Sequence, residues 1–186
     1  AVPHEVERAA AALRAAMERN PVEWLARRSD ELLAAARARL GDFVGAAADD
    51  LVFFPNPTTA VNMVVNSLRL EPGDEVLITD HEYGACVRTW RKWCTAHDVR
   101  LVVAPVDLPV TDPVATADTI WSRVTDRTRV LFISHLTSAT ALILPVDDLC
   151  RRARAAGVLS IVDGAHIPAH VDLDLASLDA DVYTGA

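Results

Sequence analysis

Residues 158–166 read VLSIVDGAH, and this stretch decides the fold class. Val158 to Val162 is a nearly continuous apolar run, without the polar alternation of a half-exposed strand. Such a run is typical of a strand covered on both faces. Val130 to Ser134 is a second run of the same kind, and a polar cluster, Asp163 to His166, directly follows the first. The two runs therefore predict buried strands.

Strands and helices alternate along the rest of the chain. Residues 3–40 predict two helices on either side of Asn20-Pro21, and Gly157 fits the end of a later helix. Parallel strands require long crossover connections, so this alternation predicts an α/β fold with three layers, α/β/α, and a mainly parallel sheet. The predicted strands are 51–54, 75–79, 100–104, 130–134 and 158–162. The predicted helices that follow the first four strands, in order, are 60–70, 83–97, 117–123 and 145–156.

Composition excludes several classes of protein. The 186 residues include 26 acidic and 18 basic residues, and a net charge of −8 disfavours nucleic acid as a partner. The three cysteines, Cys86, Cys94 and Cys150, form no CxxC pair and predict a reducing, cytoplasmic setting. No apolar run approaches the roughly 20 residues of a membrane helix, and no signal-peptide pattern opens the sequence, so no membrane partner is expected.

Polar residues follow the predicted strands at several points. In parallel sheets, ligands bind at the carboxyl ends of the strands, so residues in these positions are candidates for a site. Several polar groups converging on one edge predict a binding site there. The candidates are Asn56 to Thr59, Asp80 to Tyr83, Ser134 with His135, and Asp163 to His166.

Two of these positions allow more than one interpretation. Thr58 and Thr59 begin a predicted helix, where unpaired N–H groups suit a phosphate, although threonine is also a common helix cap. Asp163 follows a buried strand, where a carboxylate needs a cation or several hydrogen-bond donors. The alternative is that Asp163 caps the next turn through Gly164.

The histidines and Tyr83 complete the candidate set. A metal site is not predicted, because Pro168 interrupts the pair His166 and His170 and no HExxH spacing is present. Tyr83 either packs ordinarily or presents a flat ring at the edge. A phosphate-binding helix start, a flat ring, a carboxylate and two imidazoles, His135 and His166, together predict a site for pyridoxal phosphate (PLP).

Six segments in order carry a family resemblance. The sequence resembles class V aminotransferase-fold enzymes, nearest the isopenicillin N epimerase-like branch, relatives of the cysteine desulfurases. The resemblance implies the large domain of a fold-type I PLP-dependent transferase, with residues 1–45 an N-terminal helical segment and residues 46–186 an incomplete cofactor-binding domain. The segments are Asn20 to Trp24, Asn56 to Asn62, Pro72 to Leu77 with Asp80 to Tyr83, Ser134 to Ser138, Val162 to His166, and Asp181 to Gly185.

The resemblance also implies roles for individual residues. Asp163 would pair with the pyridine nitrogen, Tyr83 would stack on the ring, and Thr58, with Thr59, would hold the phosphate. His166 would lie near the phenolic oxygen, and His135 would stand where many relatives have asparagine. Asp163, His166 and Tyr83 are therefore the expected catalytic residues.

The chain is expected to differ from the family in one chemical respect: it lacks the lysine that binds the cofactor covalently. In these enzymes this Schiff-base lysine follows the strand at Asp181 to Gly185 by a few residues, so it is expected outside this chain, as are an N-terminal strip and a C-terminal small domain. Lys92, the chain's one lysine, is expected to be a surface charge. A fragment of this kind is expected to be inactive alone.

Three functions follow from this comparison. The first is a PLP-dependent epimerase or aminotransferase acting at the α-carbon of an amino acid, a small-molecule substrate, as a homodimer in its full-length form. The second is a non-catalytic fragment or binding module. The third is a C–S lyase similar to the cysteine desulfurases.

Overall fold

The computed structural model describes residues 2–186, which divide into two compact units on either side of Val52 and Phe53. The first unit is helical. Helix α1 (His4–Arg19) and helix α2 (Ser29–Val44) lie on either side of Asn20-Pro21, as predicted, and a π-helical segment (Glu23–Arg28) leads directly into α2. A short 3-10 turn (Ala48–Asp50) follows.

The second unit is a five-stranded sheet with helices on both faces. All neighbouring strands are parallel, in the order β2-β1-β3-β4-β5, so the predicted three-layer α/β/α fold is confirmed. The strands are β1 (Glu75–Thr79), β2 (Arg100–Ala104), β3 (Thr128–Ser134), β4 (Leu159–Gly164) and β5 (Val182–Gly185). The helices are α3 (Pro57–Ser67), α4 (Gly84–Ala96), α5 (Pro113–Trp121), α6 (Val146–Ala156) and α7 (Leu175–Leu178).

Alternate residues of the central strands build two separate cores. Helices α3 and α4 pack on one face, where Trp90 contacts Phe132 with ring centroids 5.5 Å apart. Helices α5, α6 and α7 pack on the other face, against residues such as Leu131 and Val162. Because successive residues of a strand point to opposite faces, burial on both sides explains the continuous apolar runs of β3 and β4.

The predicted strand at residues 51–54 is wrong. This segment is irregular, and the side chains of Val52, Phe53 and Phe54 are 74%, 49% and 40% exposed. The sheet ends at β2 and β5, and no strand among residues 2–186 pairs with this apolar run. An apolar run therefore did not suffice to define a strand.

Helix α5 starts earlier than predicted, because the prediction did not recognise the side chain that caps it. Helix α5 begins at Pro113, four residues before its predicted start, because Oδ1 of Asp112 accepts hydrogen bonds from the N–H groups of Val114 (2.8 Å) and Ala115 (3.2 Å). Gly157 ends α6 in the left-handed conformation at φ 68°, as predicted. Among the helices of residues 2–186, none is long and apolar enough to span a bilayer.

Candidate functional site

The candidate site lies at the carboxyl ends of β1, β3 and β4, the three strands inside the sheet. Ser134 at the end of β3 is the register partner of Asp163 in β4. The N–H of His135 donates to the backbone oxygen of Asp163 at 2.9 Å. The parallel register thus brings residues from the ends of two neighbouring strands together, as the sequence predicted.

Asp163 is a buried carboxylate, only 5% exposed, with hydrogen-bond donors on both oxygens. Oδ1 accepts from the N–H of Ala165 at 3.1 Å and from the hydroxyl of Thr184 at 3.4 Å, while Oδ2 accepts from the thiol of Cys86 at 3.6 Å. The bond from Ala165 caps the turn after β4, so the capping interpretation is correct in part. Within residues 2–186, no lysine, arginine or histidine nitrogen lies within ion-pair distance of this carboxylate.

Glu82 is a second buried carboxyl at the same edge. Its Oε1 accepts from the hydroxyl of Thr79 at 2.6 Å, and its Oε2 accepts from the hydroxyl of Ser134 at 2.6 Å. Burial raises the pKa of Glu82 to about 7, with the charge of Asp163 adding to the rise and the two hydroxyl bonds opposing it. Glu82 therefore gains or loses a proton near neutral pH.

Helix α4 begins at this edge and presents two candidate residues. Tyr83 is the residue preceding the helix, and its side chain is 47% exposed, so it is available to a ligand and is not part of the core. Cys86 lies in the first turn, is buried, and reaches Asp163 across the sheet edge. The contact between Cys86 and Asp163 places the start of α4, and with it Tyr83, beside the end of β4.

His135 lies against Tyr183 of β5, and both residues are half-buried. Nδ1 of His135 lies 3.0 Å from the phenolic oxygen of Tyr183, and the two rings are nearly perpendicular at 88°. Burial lowers the pKa of His135, against a small opposing effect of Asp147. Burial and the charge of Asp163 raise the pKa of Tyr183. Both side chains are therefore neutral at physiological pH.

Gly164 is required by the close approach of Tyr183. A Cβ atom at residue 164 would overlap the phenol ring of Tyr183, far inside van der Waals contact. The space beside Gly164 is thus filled by a side chain of the same chain. His166, two residues further on, is exposed on the turn after β4. Its side chain is not among the hydrogen-bond partners of Asp163.

Asn56, rather than either threonine, caps the helix α3. Oδ1 of Asn56 accepts from the N–H of Thr59 at 2.8 Å and from its hydroxyl at 3.0 Å. The interpretation of the two threonines as the cap is therefore wrong, and both donors of Thr59 are already engaged. The N–H and hydroxyl of Thr58 have no acceptor within residues 2–186. Helix α3 packs on α4, where the hydroxyl of Thr89 donates to Asn62 at 3.1 Å.

The other histidines near the edge have structural contacts or lie apart. The imidazole of His81 lies 3.1 Å from the hydroxyl of Thr140 and 3.1 Å from the backbone oxygen of Val106, which fixes two loops together. His170 is exposed. Across residues 2–186, no group of three or more His, Cys, Asp and Glu side chains is arranged to hold a metal ion.

Sequence reasoning missed Glu82 and Cys86 as members of the site. Glu82 belongs to the polar cluster after β1, but the sequence does not indicate which member of that cluster points inward. Cys86 lies 77 residues from Asp163 along the chain, and no spacing pattern relates the two. Their roles become visible only when the sheet brings the ends of β1, β3 and β4 together.

Comparison of the sequence with known families identifies one match over nearly the whole chain. The profile of the family Aminotransferase class-V matches residues 2–185. The chain is 41% identical over 180 residues to isopenicillin N epimerase from Amycolatopsis lactamdurans, covering 94% of this chain and 44% of that protein. It is 30% identical over 166 residues to a cysteine desulfurase from Pectobacterium atrosepticum, covering 87% of this chain and 40% of that protein. The chain thus spans less than half the length of these relatives.

Solved structures share the fold. A mutant of the protein C-DES with glycine covalently linked to its PLP cofactor superposes with a TM-score of 0.90 at 23% identity, covering all of this chain and 49% of that one. A cysteine desulfurase from Escherichia coli superposes with a TM-score of 0.76 at 25% identity, covering 87% of this chain and 41% of that one. The architecture is therefore that of fold-type I PLP-dependent enzymes.

Proposed function

Because the chain belongs to the class V aminotransferase family, we propose that its sheet edge binds PLP and that the protein acts on an amino acid at the α-carbon. Enzymes of this family depend on PLP. When bound, the cofactor supplies an electron sink for the electron pair left at the α-carbon. The residues of this chain bind the cofactor, orient it and hold protons around it.

The single observation that carries the proposal is the carboxylate of Asp163, buried without a cation. An isolated buried charge is costly, and a cationic hydrogen-bond donor would offset that cost. A protonated ring nitrogen is such a donor, and charge-assisted hydrogen bonds contribute about 1.5–3 kcal/mol each. In this role Asp163 keeps the ring nitrogen protonated, which is the condition for electron withdrawal from the substrate.

The start of helix α3 supplies the proposed phosphate site. A helix N-terminus carries unpaired N–H groups and about half a positive charge, which favour an anion. The N–H and hydroxyl of Thr58 are free to donate, whereas Pro57 has no N–H and Thr59 is engaged by Asn56. We therefore assign the phosphate chiefly to Thr58, with Thr59 contributing only when its bonds to Asn56 exchange.

Three aromatic side chains are proposed to orient the ring. Tyr83 presents an exposed phenol at the edge and would stack on the ring face. His166 would lie near the phenolic oxygen of the cofactor, and His135 would take the place that asparagine has in many relatives. His135 is held neutral by burial and fixed in orientation by Tyr183, so it can donate or accept one hydrogen bond without introducing a charge.

Lys92 is not the lysine that would bind the cofactor covalently. It is exposed in the middle of α4. It lies eight residues beyond Gly84, and a rise of 1.5 Å per residue places it about 12 Å along the helix from the site edge. We therefore propose, as the resemblance implies, that the lysine that binds the cofactor covalently is not among residues 1–186.

Epimerisation or transamination is the proposed reaction type, since the isopenicillin N epimerases at 41% and 37% identity exceed the cysteine desulfurases in similarity. Cleavage of a C–S bond is the second candidate, favoured by the 30% identity to a cysteine desulfurase. We also propose that the full-length enzyme is a cytoplasmic homodimer that binds neither nucleic acid nor membranes. Light scattering of the purified protein tests the dimer.

The proposal is tested by assaying the full-length protein with PLP against a panel of amino acids. Epimer, keto-acid and sulfide products are followed in the same reactions. Formation of epimer or keto acid supports the proposed reaction, and sulfide supports the second candidate. PLP binding without any product would favour the alternative, a non-catalytic binding module. Absence of PLP binding would refute the proposal.

A further inference from the structure

Within residues 2–186, the thiol of Cys86 is the one hydrogen-bond donor to Oδ2 of Asp163. The thiol lies 3.6 Å from Oδ2, within the range of hydrogen bonds made by sulfur, and both side chains are buried. The other oxygen, Oδ1, accepts instead from the N–H of Ala165 and the hydroxyl of Thr184. The two oxygens of the carboxylate are therefore inequivalent.

The thiol of Cys86 acts as a donor, because it keeps its proton. Burial, followed by the charge of Asp163 and its hydrogen bond, raises the pKa of Cys86 to about 12. Ionisation would place a second negative charge against Asp163 and would remove the hydrogen bond. At physiological pH the pair is thus one carboxylate and one thiol donor.

A thiol is a weaker hydrogen-bond donor than an amide or hydroxyl. Oδ2 therefore keeps more of the carboxylate's accepting capacity than Oδ1, which shares its lone pairs between two stronger donors. A weak donor can fix the direction of Oδ2 without neutralising its charge. Oδ2 is then the oxygen best prepared to accept a hydrogen bond from a cationic N–H.

We propose that Cys86 is a positioning residue for the cofactor, with its thiol fixing Oδ2 of Asp163 as the oxygen that receives the ring nitrogen of PLP. The inference rests on the proposed PLP site and adds a residue of α4 to it. Cys86 does not itself touch the cofactor in this proposal. Its effect passes through Asp163.

Cys94 provides a matched control on the same helix. Cys86 and Cys94 are 1% and 2% exposed, and both belong to the core between α4 and the sheet. Replacing either by alanine removes one buried sulfur atom from the same layer. Of the two cysteines, only Cys86 donates a hydrogen bond to Asp163, so comparing the two variants separates loss of packing from loss of that bond.

The first test measures the dissociation constant of PLP for the full-length wild type and three variants. We expect Cys86→Ala to raise Kd about fivefold, which corresponds to about 1 kcal/mol. Cys94→Ala should leave Kd unchanged. Cys86→Ser should give a Kd between those of the wild type and Cys86→Ala, because serine also fixes the direction of Oδ2 but, as the stronger donor, takes up more of its accepting capacity. An unchanged Kd in Cys86→Ala, an equal rise in Cys94→Ala, or no restoration by serine would each overturn the proposal.

The second test does not require PLP. The S–H stretching band of Cys86, identified by its loss in Cys86→Ala, should lie at lower frequency than that of Cys94 and move upward in Asp163→Asn. If the frequency of the band did not change in Asp163→Asn, the thiol would not be donating to the carboxylate, and the proposal would be overturned. Failure of the wild type to bind PLP would refute the proposed function instead, so the two failures are distinguishable.

Discussion

The hydroxyl of Ser134 lies 2.6 Å from Oε2 of Glu82, and this bond ties the end of β3 to the loop after β1. Ser134 is also the register partner of Asp163. Two buried carboxyls, Glu82 and Asp163, therefore lie on either side of Ser134 at one edge of the sheet. The charge of Asp163 contributes to the raised pKa of Glu82, so Asp163 opposes the ionisation of Glu82 at this edge.

Glu82→Gln should change how stability depends on pH. The folded state holds the Glu82 proton up to about pH 7, whereas the unfolded chain releases it near 4.5. The stabilisation contributed by protonated Glu82 is therefore fully present below about pH 4.5 and is lost as pH rises to 7 and just beyond. Glutamine cannot ionise, and its amide can still donate to Ser134 and accept from Thr79.

Urea denaturation of wild type and Glu82→Gln at several pH values between about 4.5 and 8 tests this linkage. The wild type should lose free energy of unfolding relative to the variant as pH rises through this window. Glu71→Gln, at an exposed glutamate before β1, is the control, and its free energy of unfolding should depend on pH as that of the wild type does. A constant difference between wild type and Glu82→Gln would show that Glu82 does not titrate in this range.

Gly164→Ala should destabilise the protein by about 1–3 kcal/mol, because the added Cβ overlaps the ring of Tyr183. Gly84→Ala is the control, since a Cβ there meets only the flexible end of Arg88 at 3.5 Å. The cause is tested by adding Tyr183→Ala, which removes the ring. A double variant as unstable as the sum of the two single changes would mean that overlap with Tyr183 is not the cause.

Thr58→Val should weaken binding of PLP by roughly tenfold or more, the effect expected for a hydrogen bond to a charged group. Binding of pyridoxal, which lacks the phosphate, should be unaffected. Thr59→Val is the comparison, because its hydroxyl already donates to Asn56. Equal losses for PLP and pyridoxal in Thr58→Val would place Thr58 away from the phosphate.

The sequence predicts most of the sheet but less of the site, and the reason lies in the range of the interactions. Strands β1 and β2 have the predicted bounds, because short apolar runs bounded by turns are a local signal. The run at residues 51–54 gave the same signal and is wrong, since pairing depends on a neighbouring strand. Asp163 was recognisable from its place after a buried strand.

The partners of Asp163 were not recognisable in the same way. Its donors Cys86 and Thr184 come from a helix and a strand that lie beside β4 only in the folded chain. The pKa of Glu82 likewise depends on burial and on hydroxyls of Thr79 and Ser134, the latter 52 residues away. Such contacts are set by packing, which the sequence pattern does not encode locally.

The most direct test of the account is a titration of the full-length protein with PLP, comparing wild type with Asp163→Asn. The account predicts that the variant keeps its thermal stability but that its Kd rises at least about tenfold, because the amide cannot balance a cationic ring nitrogen. Asp172→Asn, at an exposed aspartate, should bind as the wild type does. An Asp163→Asn variant that binds PLP as tightly as the wild type would contradict the account.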